Sequence, residues 1–146
     1  MKKSLIFLAI FTALFSACNN PKTETAKTEI LSAKAKHNRL EVYCFHATRQ
    51  CETCKNMKVN TKTTLEKYFA SQLKDSSIVF TIIDVDDEKN EKLAEKFQAT
   101  GTALMINKIV NGEDNITDWS DFAFEKANDE TIFIPELKIK IETVLK

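Results

Sequence analysis

The chain has 146 residues, 43% hydrophobic and 29% charged, which is the composition of a globular protein and not of a disordered one. Lys plus Arg and Asp plus Glu each number 21, so no basic excess points to nucleic acid. Two glycines leave no Gly-rich phosphate loop, and two histidines leave no multi-histidine metal site.

Lys2 and Lys3 open the chain, and residues 5–17 follow as an uncharged, mostly apolar run of 13. A membrane-spanning helix needs about 20 apolar residues, so this run reads as an export signal over residues 1–17. It ends Ser16-Ala17-Cys18, with small residues directly before a cysteine. That ending resembles a bacterial lipobox, whose cysteine becomes the lipid-bearing N-terminus, although Phe15 departs from the usual aliphatic residue. Asn19 and Asn20 lack the aspartate that holds enteric lipoproteins at the inner membrane. The expectation is a lipoprotein anchored through Cys18, facing the periplasm from the outer membrane rather than the inner. Export leaves 19 basic against 21 acidic residues, a charge near −2. Residues 18–38 are rich in Lys, Thr, Glu and Ala, bury too little to order themselves, and read as a flexible tether. Residues 39–146 then make one small domain.

Leu40-Glu41-Val42-Tyr43-Cys44-Phe45 predicts a strand, and the polar stretch 46–50 a loop. From Cys51 the spacing turns helical, with Cys54, Met57, Thr61, Leu65, Tyr68 or Phe69, and Leu73 on one face. Ile78-Val79-Phe80-Thr81-Ile82-Ile83 is apolar on both faces, which predicts a central strand. Asp86 and Asp87 are placed to cap a helix whose Leu93, Ala94 and Phe97 face the core. Residues 103–106 predict a third strand, and Asn111-Gly112 a hairpin with Ile116 on the return. Trp119, Phe122 and Phe124 read as core aromatics. Pro135 reads as the start of a last helix that buries Leu137, Ile141, Val144 and Leu145.

Cys51-Glu52-Thr53-Cys54 lies between a strand and a helix, and that position has a chemical use. A cysteine at a helix N-terminus has its thiolate favoured by unpaired N–H groups and by the helix dipole. A second cysteine nearly one turn on can attack the mixed disulfide formed by the first. Cys51 is therefore the expected attacker and Cys54 the resolver. The same spacing serves zinc ribbons, but those need a second pair, which this chain lacks.

The domain resembles the thioredoxin-like superfamily, on the strand–Cys-x-x-Cys–helix unit, on Ile83-Asp84-Val85-Asp86, and on Gly101-Thr102-Ala103-Leu104-Met105. That implies an α/β fold with a central mixed sheet flanked by helices, and thiol–disulfide oxidoreductase activity. More narrowly, the run from Tyr43 to Cys54 is similar to exported thioredoxin-like subunits of nitrophenyl-compound reductases, linked to aromatic arsenical resistance. His46, Thr48, Cys51, Thr53 and Cys54 match that group, and Glu52 replaces its usual proline. The resemblance implies electron transfer with a protein redox partner or reductase subunit, and no cofactor beyond the Cys51–Cys54 disulfide. Two departures stand out. Gly101 occupies the place of the superfamily's cis-proline; a non-proline cis bond costs about 3 kcal/mol, so a trans bond is expected there. Phe45 stands six residues before Cys51, where thioredoxin has a buried acid.

Glu52 raises the pKa of a nearby thiol if it tunes the site, and Arg49 can offset it; both can equally be solvated loop charges. His46 is open to two readings, a proton shuttle or ligand, or a loop residue that orients Thr48. Cys44 reads as a buried apolar strand residue. Gly101 and Thr102 complete the residues expected to meet a partner. A different class of function remains: a metal-binding or delivery module for Cu(I) or zinc that uses Cys51, Cys54, His46 and Cys44. A third is an interaction subunit whose disulfide is only structural.

Overall fold

The structure is a computed structural model that describes residues 38–146. The export signal, Cys18 and nearly all of the tether lie outside the described residues.

Four strands form one sheet in the order β2-β1-β3-β4. Strand β1 (Arg39–His46) runs parallel to β2 (Ile78–Asp84), pairing Leu40 with Ile78 through His46 with Asp84. It runs antiparallel to β3 (Ala103–Val110), which pairs in turn with β4 (Glu113–Asp118). This is an α/β fold, a four-stranded mixed sheet flanked by helices. The expected central place for residues 78–83 is wrong. Among the described strands β2 is an edge and β1 is central, and Ile82 on β2 is exposed. Apolar density reports what covers the faces of a strand. It does not report which neighbours bond along its edges, which the connections decide.

Period-two alternation sends Leu40, Val42 and Cys44 of β1 to one face, with Leu104 and Ile106 of β3. Against them pack Met57 and Leu65 of α1 (Glu52–Tyr68), Ala123 of α4 (Ser120–Lys126), and Phe133, Leu137 and Ile141 of α5 (Glu130–Leu145). The opposite face collects Phe45, Ile83, Ala103 and Met105 under Ala94 and Phe97 of α3 (Glu91–Phe97). The predicted face of α1 is present, with Cys54, Met57, Thr61 and Leu65 buried. The chain breaks at Phe69, which is buried, and a short α2 (Ala70–Lys74) leads into β2.

The hairpin forms as its Asn-Gly pair requires: Asn111 and Gly112 both have positive φ, 56° and 88°. Asp87 caps a 3₁₀ turn (Glu88–Asn90) ahead of α3, whereas Asp86 bonds elsewhere. Three expectations in the last third are corrected. Helix α4 goes unforeseen. Trp119 is buried and Phe122 packs against the core, but Phe124 is exposed, because a helix turns residues 122 and 124 about 200° apart. The last helix begins at Glu130, where the Asp129 carboxylate accepts the Thr131 N–H at 3.0 Å. Pro135 lies inside it, on the exposed side, and Leu145 is exposed as well.

Behind the sheet, on the α3 side, lies a buried charge. Glu41 pairs with Arg39 at 2.6 Å and accepts hydrogen bonds from the Tyr43 hydroxyl at 3.2 Å and the Asn107 amide at 3.0 Å. The same Asn107 amide reaches Asp114 at 2.7 Å, and Lys96 of α3 closes on Asp114 at 2.6 Å. Thus β1, β3, β4 and α3 share one polar network at the end of β1 remote from its C-terminal loop.

Candidate functional site

Cys51 is the N-cap of α1, in extended backbone, and Cys54 lies one turn inside. Their sulfurs form a disulfide, with the two Cα atoms 5.1 Å apart. The Cys51 sulfur also accepts the Cys54 N–H at 3.1 Å, so it takes one of the unpaired donors at the helix start. Cys51 is exposed and Cys54 is buried. The pair thus has an accessible sulfur in the positive end of a helix and a protected one behind it, the asymmetry that attack and resolution require.

The loop before Cys51 is tied to the end of β2. The Thr48 N–H donates to Asp86 at 2.8 Å and its hydroxyl to Asp84 at 3.4 Å. Asp84 in turn accepts the Asp86 N–H at 3.0 Å, and the Val85 N–H reaches the His46 carbonyl at 2.9 Å. The Thr48 N–H holds the Asp86 carboxyl below the usual carboxylate range, and the Thr48 side chain and the nearby His46 add to this. Thr48 is therefore oriented by Asp84 and Asp86, while Nδ1 of His46 lies 3.0 Å from the Ala47 carbonyl. Arg49 is exposed, and Glu52 pairs instead with Lys55 at 3.7 Å on the open surface. Thr53 accepts a hydrogen bond from Asn128 at 3.0 Å, and Asn128 accepts one from Asn56 at 3.2 Å. The α4–α5 loop is thereby latched to the dithiol helix. Asn128, and the hold of Asp84 and Asp86 on Thr48, escaped sequence reasoning because the separation along the chain leaves no periodic signal.

The β1–β3 register ends at Phe45 paired with Ala103, and residues 101–102 are bends that lead into β3 at this end of the strand. No cis peptide occurs among the described residues, as expected at Gly101. A side-chain carbon added at Gly101 would meet nothing within 4 Å, so the space beside Gly101 is open.

Phe45 points to the α3 side of the sheet, away from the dithiol helix. The β1 residue that faces α1 near this end is Cys44, a free and buried thiol. Burial pushes its pKa up to about 12 from an ordinary 9.0, against the pull of Lys58. This agrees with Cys44 as an apolar strand residue. Among the described residues no three His, Cys, Asp or Glu side chains form a metal-holding group, so neither His46 nor Cys44 joins Cys51 and Cys54 in one.

The Cys44 shift has a consequence for stability. The folded state keeps its proton up to about pH 12, while the unfolded thiol releases it near 9.0. Folded stability should therefore fall as pH rises from about 9 towards 12. Three pKa units at 1.36 kcal/mol each set an upper bound on the order of 4 kcal/mol. Tyr43, also raised to about 12 by burial and by Glu41, adds in the same direction. Urea midpoints at pH 8, 10 and 11 check this: Cys44→Ala should flatten the alkaline decline, and an equal decline in parent and variant would refute it.

No protein-family model matches the chain, and no curated protein does. Solved structures similar to it include Fasciola hepatica thioredoxin, at 25% identity and TM-score 0.43, covering 74% of this chain and 90% of that one. Mitochondrial thioredoxin 3 of Saccharomyces cerevisiae, in its oxidized form, has 22% identity and TM-score 0.40, covering 68% and 85%. A Thermus thermophilus thioredoxin has 16% identity and TM-score 0.39, covering 73% and 85%. At such scores the likeness adds nothing to the strand order and the dithiol geometry, on which the reading of the fold rests.

Proposed function

We propose that this chain is a thiol–disulfide oxidoreductase that works through Cys51 and Cys54 on a protein redox partner. The observation that carries the reading is the exposed Cys51 sulfur at the N-cap of α1, bonded to the buried Cys54. In the reductive direction the Cys51 thiolate attacks a partner disulfide and one partner sulfur leaves as thiolate. The Cys54 thiolate then attacks Cys51, re-forming the intramolecular disulfide and releasing the second partner sulfur. Two electrons pass per cycle. Gly101, which takes the place of the superfamily's cis-proline, has open space where a side chain would stand, so it offers a partner backbone no grip. Equilibration of the reduced protein with glutathione disulfide tests the reading. Formation of the Cys51–Cys54 disulfide with release of two glutathione thiols is expected, and an inert dithiol would overturn it.

The finer reading is an exported electron-transfer subunit of a nitroaromatic reductase system, supported by His46, Thr48, Cys51, Thr53 and Cys54 in their spacing. Its place is the periplasmic side of the outer membrane, anchored by lipid on Cys18, supported by the run 5–17 and the Ser16-Ala17-Cys18 ending. Cys18→Ser is expected to yield no lipid-modified mature chain, as read by mass spectrometry of membrane fractions. An unmodified, soluble mature chain from the parent sequence would remove the anchor.

A further inference from the structure

A cation lies behind the dithiol on the same helix. Lys58 of α1 follows Cys54 by four residues and Cys51 by seven, so all three share a helix face. Its side chain is half-buried and leans towards the helix start, as helical side chains do. The lean is fixed by a hydrogen bond from its ammonium to Oε1 of Gln50, the residue directly before Cys51, at 2.9 Å. The charge is also felt at Cys44, on the β1 face that α1 covers. The ammonium is therefore held against the dithiol loop. By contrast, Lys55 has an exposed side chain and pairs with Glu52 at 3.7 Å.

We propose that Lys58 is the counter-charge of the reduced dithiol, a positioning residue that stabilises the thiolates released at Cys51 and Cys54 and makes the pair more oxidising. This rests on the exchange reading above. Reduction of the disulfide takes up two electrons; when only one proton accompanies them, one sulfur remains a thiolate, and negative charge appears where the oxidised protein has none. Helix α1 offers its N-terminus to Cys51, but Cys54 lies a turn inside and is buried, where a thiolate is costly without a cation. A half-buried ammonium on the same face supplies one, at a position that water screens less than an exposed one. The charge stabilises the reduced form only, so it shifts the redox equilibrium rather than the fold.

The test is the equilibrium constant with glutathione at pH 8, measured on purified parent, Lys58→Met, Lys58→Gln, Lys58→Arg and Lys55→Met. Lys58→Met and Lys58→Gln should favour the protein disulfide by about tenfold, equivalent to about 30 mV for a two-electron couple. Lys58→Gln keeps a polar head for Gln50, so a purely structural hydrogen bond would survive it in part. Lys58→Arg should stay within about threefold of the parent and Lys55→Met within about twofold. In reduced Cys51→Ser protein, removal of Lys58 should also slow alkylation of Cys54. A parent that exchanges normally while both neutral variants lie within twofold of it would overturn the role of Lys58 alone. A parent that does not exchange with glutathione would overturn the exchange reading beneath it.

Discussion

Serine at position 51 is expected to abolish exchange, by more than about a thousandfold, because a hydroxyl supplies no nucleophile at neutral pH without a base to activate it. The Cys51 sulfur is the accessible one and sits where the N–H groups of α1 converge. Serine at position 54 should act differently. Attack by Cys51 survives, the second attack is lost, and mixed disulfides with partner proteins or glutathione accumulate. The fold should tolerate both changes, since Cys51 is exposed and serine at 54 alters one atom. Non-reducing gels and mass spectrometry of the trapped species separate the two variants. In the reduced parent, alkylation should reach Cys51 first; faster modification of Cys54 would reverse the roles.

Glu41→Ala is expected to cause the largest loss of stability on the sheet, about 3–5 kcal/mol, the usual result of removing one partner from a buried charge pair. Four hydrogen bonds converge on this carboxylate, two from Arg39 and one each from Tyr43 and Asn107. Alanine leaves the NH2 of the fully buried Asn107 with only Asp114 as acceptor, and leaves the Arg39 guanidinium without this carboxylate. The acid limb of stability follows from the same network. Lys96 and Asn107 hold the Asp114 carboxyl below its ordinary 3.8. The stability it contributes is fully present above that pH and fades as pH falls through the lower folded value. Urea unfolding of Glu41→Ala against the parent checks the first claim. A loss no larger than that from removing the exposed Glu52–Lys55 pair would refute it. Exchange should persist in the folded fraction, because Glu41 lies towards the far end of β1 and on the opposite face from α1.

The dithiol was legible because its signal is local. Cys-x-x-Cys after a short apolar strand and before a helical period places both sulfurs at a helix start, whatever the rest of the chain does. The hairpin at Asn111-Gly112 is local in the same sense, since two consecutive positive φ angles select those residue types. So is the face of α1 that carries Met57, Thr61 and Leu65. Signals that depend on partners far along the chain were not legible. Thr48 is held by Asp84 and Asp86, and Thr53 by Asn128, across separations of 36, 38 and 75 residues. The face to which a β1 residue points mattered too. Counting back from Cys51 leads to Phe45, but the loop before α1 sets the phase, and Cys44 is the residue turned towards α1.

Composition and spacing alone therefore establish an α/β domain with a reactive pair at a helix start, because periodicity and backbone preference act over a few residues. The place of β2 at an edge, the start of α5 at Glu130 ahead of Pro135, and the exposure of Phe124 depend on how whole elements meet. So does the position of Lys58. Its spacing from Cys54 is written in the chain, but whether its charge is solvated or held at the dithiol loop is decided by its hydrogen bond to Gln50. The energy of a charge depends on the medium and the neighbours around it, and those exist only once the sheet and α1 have packed.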